Sequence, residues 1–235
     1  MADQGKDYSV LKNLYTELLR TDAGVGHAEA HRLLDAAMEG TVENRTNLWN
    51  PALRETYGKA CTLPKEAHLS ALVLAAGERS IDLQEIAEVY GLTTKAWFEV
   101  TDPQPTQFRL NAQFGNHLEE VREMFPEITS GNPEVDAKMQ LIDTLLSEVA
   151  SLFKSQQVNL KVLNNKKFFD SLLDQRVTLT GVAHLKGYAF DEGVARVDVA
   201  NFTKFVDGVP QYKEGGKVAK GPYFVEPNIP YPAED

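Results

Sequence analysis

Apolar residues recur every three or four positions over most of the first 175 residues, the spacing of one helix face. Val10, Leu11, Leu14 and Leu18 predict an amphipathic helix over 8–20, broken at Thr21-Asp22-Ala23-Gly24. Ala30, Leu33, Leu34, Ala37 and Met38 predict another over 27–39, with Gly40 as its stop. Asn50-Pro51 and Leu63-Pro64 each put a proline where a helix opens, giving segments at 51–59 and 65–76. Ser80-Ile81-Asp82 offers a cap for a helix over 83–90. The stretch 101–107, TDPQPTQ, reads as an extended connector, because its two prolines exclude helix.

Beyond the connector a helix is expected from Gln107 to Phe125, closed by Pro126. Asn132 as N-cap and Pro133 in the first turn then open a long helix. Along it Val135, Met139, Ile142, Leu145, Leu146, Val149, Leu152 and Phe153 form a stripe. Positions 142, 145, 149 and 152 keep a heptad rhythm, so this helix is expected to bury them against another helix. Phe168, Phe169, Leu172 and Leu173 predict a short helix after Asn164-Asn165.

Past Gln175 the pattern changes. Residues 176–190 and 195–206 are rich in Val, Thr and aromatics and partly alternate, which reads as strands. Asp191-Glu192-Gly193 and Asp207-Gly208 fit hairpin turns. The tail from Gly221 holds four of the eleven prolines and Tyr223, Phe224 and Tyr231, so it reads as an extended arm. The resulting fold class is α+β: a helical domain of about seven helices over 1–175, a small antiparallel β-meander over 176–220, and an extended tail over 221–235.

Charge adds an asymmetry. The 235 residues carry a formal net charge of −10, and residues 80–148 hold 13 acidic against 4 basic side chains. Such a surface is unsuited to a general nucleic-acid binder, which needs clustered Lys and Arg. The single Cys61 allows neither an intrachain disulfide nor a multi-cysteine metal site, which fits a reducing compartment. The polar N-terminus, Met1–Asp7, does not read as a signal peptide. The longest apolar run, Leu69–Ala76, falls far short of the ~20 residues that span a bilayer. These features point to a cytoplasmic protein with no membrane partner.

Chemistry-bearing motifs are few. His27-Ala28-Glu29 matches half of a zinc-deaminase signature, but the second half needs two thiolates and only Cys61 exists. His27 and His31 are four apart, with Asp35 one turn on, and are the only weak metal candidates. No Gly-x-Ser-x-Gly, phosphate-binding loop or dinucleotide fingerprint occurs, so no catalytic residue and no cofactor is assigned.

Leu83 to Val100 resembles the helix-turn-helix of bacterial repressors, with Ala87 and Gly91 as the small residues and Ile86, Tyr90, Leu92, Trp97 and Val100 as the apolar anchors. The resemblance implies that Thr93, Thr94 and Lys95 would face DNA, although Glu85, Glu88, Glu99 and Asp102 crowd the same region. Pro64-Lys65-Glu66-Ala67-His68-Leu69 and His117-Leu118 are similar in spacing to chaperones that mature molybdenum enzymes; that resemblance implies a cytoplasmic enzyme-maturation chaperone.

The reading that best joins these features is a non-catalytic assembly or adaptor protein, a subunit of a homo-oligomer or larger complex with protein partners. The heptad-bearing helix motivates it, as does an aromatic arm whose Tyr223, Phe224 and Tyr231 could bind a neighbour. The layout is broadly similar to that of phage head–tail adaptors, an analogy at the level of fold.

Overall fold

A computed structural model describes residues 11–17, 25–39, 63–76, 83–213 and 216–229. Residues 11–17 are helical. The helices that follow are α1 (Val25–Glu39), α2 (Lys65–Ala76), α3 (Leu83–Val89), α4 (Thr94–Thr101), α5 (Gln107–Glu123), α6 (Pro133–Lys154), α7 (Asn165–Leu185) and α8 (Phe190–Phe202), with a short 3-10 turn at Phe125–Glu127. The chain divides into two compact units. The first holds residues 1–101, 176–211 and 218–235; the second holds 102–175 and 212–217. The division falls inside α7, between Gln175 and Arg176.

The first unit is built around α2, which is buried on nearly every side because its apolar residues from Leu69 to Ala76 run all round the helix. Ala67, Leu69, Ala71, Leu72, Val73, Ala75 and Ala76 meet Leu11, Leu14 and Tyr15, Leu33 and Leu34 of α1, Leu83, Ile86 and Ala87 of α3, and Val199, Ala200 and Phe205. Trp97 stacks on Phe205 at 4.9 Å between ring centroids and meets Phe202 edge-on. Two of the polar groups carried into this core make long-range hydrogen bonds, although Glu66 Oε2 has no hydrogen-bond partner. His68 is hydrogen-bonded to Tyr15 at 3.0 Å, and the buried Glu66 accepts the Gly208 N–H at 2.6 Å.

The second unit is a helical hairpin. Thr106 caps α5 by accepting the Arg109 N–H, and Asn132 caps α6 by accepting the Glu134 and Val135 N–H groups, with Pro133 in the first turn. The helices run antiparallel: Arg122 pairs with Asp143, Phe114 meets Phe153 edge-on, and Lys154 pairs with Glu119. The backbones approach closely at Gly115. A Cβ there would lie 2.8 Å from the Ala150 carbonyl oxygen. Asn111, fully buried, holds the turn after α6: it accepts the Leu160 N–H and donates to the Val158 carbonyl.

The expected β-meander is absent: the described residues contain no strand or sheet, and the observed class is helical. Residues 176–190 complete α7 and enter α8, and 195–202 lie in α8. Alternating Val and Thr misled because β propensity records fit to a pleated surface and yields to tertiary packing. The buried positions of α8, Ala195, Val199 and Phe202, with Arg196 and Ala200 beside them, carry the helical period. Asp191 and Glu192, read as a hairpin loop, form the first turn of α8, where acids complement the helix dipole. Asp207-Gly208 does turn the chain, with φ of 51° and 75°, but it joins a single bridge between Val206 and Val209. The helix expected to be short after Asn165 runs for 21 residues.

Candidate functional site

The long helix α6 carries two apolar seams. One faces α5 and consists of Met139, Asp143, Leu146, Ala150 and Phe153, spaced four, three, four and three. The heptad expected from sequence, 142, 145, 149 and 152, lies one residue out of step, about 100° around the helix. It is open to solvent: Leu141 is 58% exposed, Ile142 43%, Leu145 50%, Val149 40% and Leu152 38%. The expectation that Leu145 and Val149 are buried within the chain is therefore corrected. The buried seam contains a charge, Asp143, satisfied by Arg122, and a small residue opposite Gly115; these features disguised it in the sequence.

Helix α7 is open over a longer stretch. Every residue from Phe169 to Thr180 is exposed. Its apolar side chains include Phe169 at 62%, Leu173 at 48%, Leu179 at 47% and Val182 at 62%. Within the second unit's part of α7, Phe169, Leu172 and Leu173 stand exposed, whereas Ala183, in the first unit's part, is buried. Such continuous apolar exposure exceeds the scattered single residues normal on a monomer surface.

The sequence-derived metal candidates fall on α1. His27 is in that helix, and its side chain lies outside the described residues. His31 and Asp35 share one face and converge on Tyr90 of the first unit. The Tyr90 hydroxyl donates to Asp35 at 2.8 Å, and His31 Nδ1 lies 3.2 Å from the same oxygen. Burial, reinforced by the hydrogen bond and negative charge of Asp35, pushes the Tyr90 phenol far above its ordinary range, so it stays protonated. This cluster ties α1 to the turn after α3. Among the described residues no group of three His, Cys, Asp or Glu side chains could hold a metal ion.

The helix-turn-helix outline exists as α3, a turn with Gly91 at φ 63°, and α4. Its proposed reading residues are engaged locally. The Thr93 hydroxyl accepts the Ala96 N–H, Thr94 donates to Asp198 at 2.6 Å, and the exposed Lys95 pairs with Glu99 at 3.2 Å. Of the tail aromatics, Tyr223 packs on the core of the first unit, and its carbonyl accepts a hydrogen bond from Ser70. Phe224 lies under Lys220 and Lys204, at 4.3 and 5.6 Å from ring centroid to ammonium. Tyr231 lies outside the described residues.

No helix among the described residues is long and apolar enough to cross a membrane. No protein-family model, curated protein or solved structure matches this chain.

Proposed function

We propose that this protein is a non-catalytic assembly subunit that self-associates through its helical hairpin. The observation that carries the reading is the open seam of α6, where Leu141, Ile142, Leu145, Val149 and Leu152 stand exposed in a row while the adjacent seam packs on α5. Between Lys138 and Lys154 the only charged residues on α6 are Asp143, paired with Arg122, and Glu148. Depletion of charge with enrichment of aliphatic area is the mark of an interface core. The tail aromatics Tyr223 and Phe224 are already engaged by their own chain, so the hairpin is the better-supported surface.

Light scattering on the full chain tests the reading. The parent should have a mass above the 26.1 kDa of one chain. Leu145→Asp should return it to the single-chain mass with unchanged far-ultraviolet helix content. A parent that stays at one chain's mass up to about 100 μM, weaker than any stable assembly contact, sinks the proposal.

A further inference from the structure

We infer that the occupant of the open α6 seam is the same seam of a second copy, the two α6 helices lying antiparallel about a two-fold axis with Lys138 of each beside Glu148 of the other; this rests on the self-association reading above. Two observations lead there: how the exposed apolar positions are spread along α6, and where its charges stand among them.

The exposed large apolar side chains of α6 are Val135, Leu141, Ile142, Leu145, Val149 and Leu152, and they run nearly the full length of Pro133–Lys154. Val135, Ile142 and Val149 are seven apart, as are Lys138, Leu145 and Leu152, so the two sets are the a and d rows of one heptad seam. Laid antiparallel with their ends level, two such helices overlap over about 33 Å, the most that their length allows. Val135 then comes opposite Leu152, Ile142 opposite Leu145 and Lys138 opposite Val149 of the other copy, and the two-fold axis repeats each layer. Each layer joins a β-branched residue to a leucine except the one that holds Lys138, and Leu141 borders the same strip.

Charge decides between orientations. Asp143 of α6 pairs with Arg122, Lys154 pairs with Glu119, and Asp136 accepts from Thr129 and Ser130. That leaves Glu134, Lys138 and Glu148 along the open seam. Lys138 pairs with Glu134 at i,i+4, with the two side chains 67% and 79% exposed, a contact worth little in water. Once a neighbour covers the seam, Lys138 needs a carboxylate in reach, because a buried unpaired charge costs more than the apolar contacts around it return. In the antiparallel pair Glu148 of the other copy stands next to the Val149 that Lys138 faces, and Glu148 is exposed in the single chain. A parallel pair would instead set Lys138 against Lys138. A seam with a base toward one end and an acid toward the other is its own complement across a two-fold axis, which favours a second copy over an unlike partner.

The test uses the full-length protein. Lys138→Glu and Glu148→Lys should each raise the midpoint concentration of assembly, read by light scattering, by about tenfold or more. The double variant should recover most of that loss, with circular dichroism confirming that helix content is kept. Orientation is read by pulsed electron spin resonance in a Cys61→Ser background that assembles like the parent, with a spin label at Thr144→Cys or at Ser151→Cys, both exposed and seven residues apart. In the antiparallel pair the two labels at 144 lie nearly level, whereas those at 151 stand about 22 Å apart along the axis, so the second distance is the longer. Equal distances at the two positions mean a parallel pair and overturn this inference alone. Single charge variants that assemble as well as the parent, or a double variant no better than the singles, overturn it too. A parent with the mass of a single chain overturns this inference and the proposed function together.

Discussion

Gly115 shows how one missing Cβ sets the spacing of two helices. A methyl group there would come 2.6 Å from Lys154 Cγ and 2.8 Å from the Ala150 carbonyl; the lysine can swing away but the carbonyl cannot. Gly115→Ala should therefore destabilise the hairpin by about 1–3 kcal/mol, the usual cost of overpacking, seen as a lower urea midpoint. Gly181, in α7, has nothing within 4 Å of the added atom, so Gly181→Ala should add about 0.5–1 kcal/mol. Equal midpoints for the two variants would contradict the close crossing. Glu119 makes a pH prediction at the same scale. Its hydrogen bond from Lys154, aided by that lysine's charge, holds its carboxyl below the ordinary value. A depressed carboxylate contributes stability that is complete above its ordinary pKa and lost as pH falls through the folded value. Thermal melts should thus show the parent losing stability below about pH 4, with a shallower loss in Glu119→Gln. The caps at this scale were readable because they are local: Asn132 and Pro133 do their work within three residues. The Asp35–Tyr90 hydrogen bond was not, since 55 residues separate its ends.

At the scale of elements, α6 is the instructive case. Sequence periodicity found the helix and its apolar character but selected the seam one residue away from the one that α5 covers. Leu146, half-buried toward α5, and Leu145, half-exposed, are neighbours with opposite roles. Leu146→Ala should cost the hairpin about 1–3 kcal/mol, less than the full burial of a leucine because the site is partly open. Leu145→Ala should cost under about 1 kcal/mol in the separated chain. Denaturation at a concentration below the assembly midpoint distinguishes the two; equal losses would mean that both seams are covered. The misread strands belong to this scale too. Val and Thr forfeit only about half a kcal/mol each in a helix, so the burial of Ala195, Val199 and Phe202 decides the state of α8.

For the whole molecule, the returning tail closes the first unit. Tyr223 covers the core, its carbonyl receives the Ser70 hydroxyl, Val225 N–H donates to the buried Thr203, and the Asn228 carbonyl accepts from Arg196. Arg196 is buried and is held as well by Glu192 and the Ala76 carbonyl. Deleting 221–235 takes the Asn228 carbonyl from the buried Arg196 and the Val225 N–H from the buried Thr203, at about 1–3 kcal/mol for each group left short of a partner, while Ser70 keeps the Glu66 carbonyl. The truncated chain should melt at a lower temperature in calorimetry with most of its helix content retained; an unchanged melting temperature would show that the tail is not part of the unit. The sequence by itself determined what is local: the helices at 65–76, 83–89 and 107–123, the Asn132 cap, and the turn at Asp207-Gly208. In each, the deciding contacts lie within a few residues. Only the tertiary structure decided which α6 seam is covered, that 176–202 is helical, and where the tail goes. Those outcomes depend on what each segment meets, and α5, α2 and Ser70 lie tens of residues or more away along the chain.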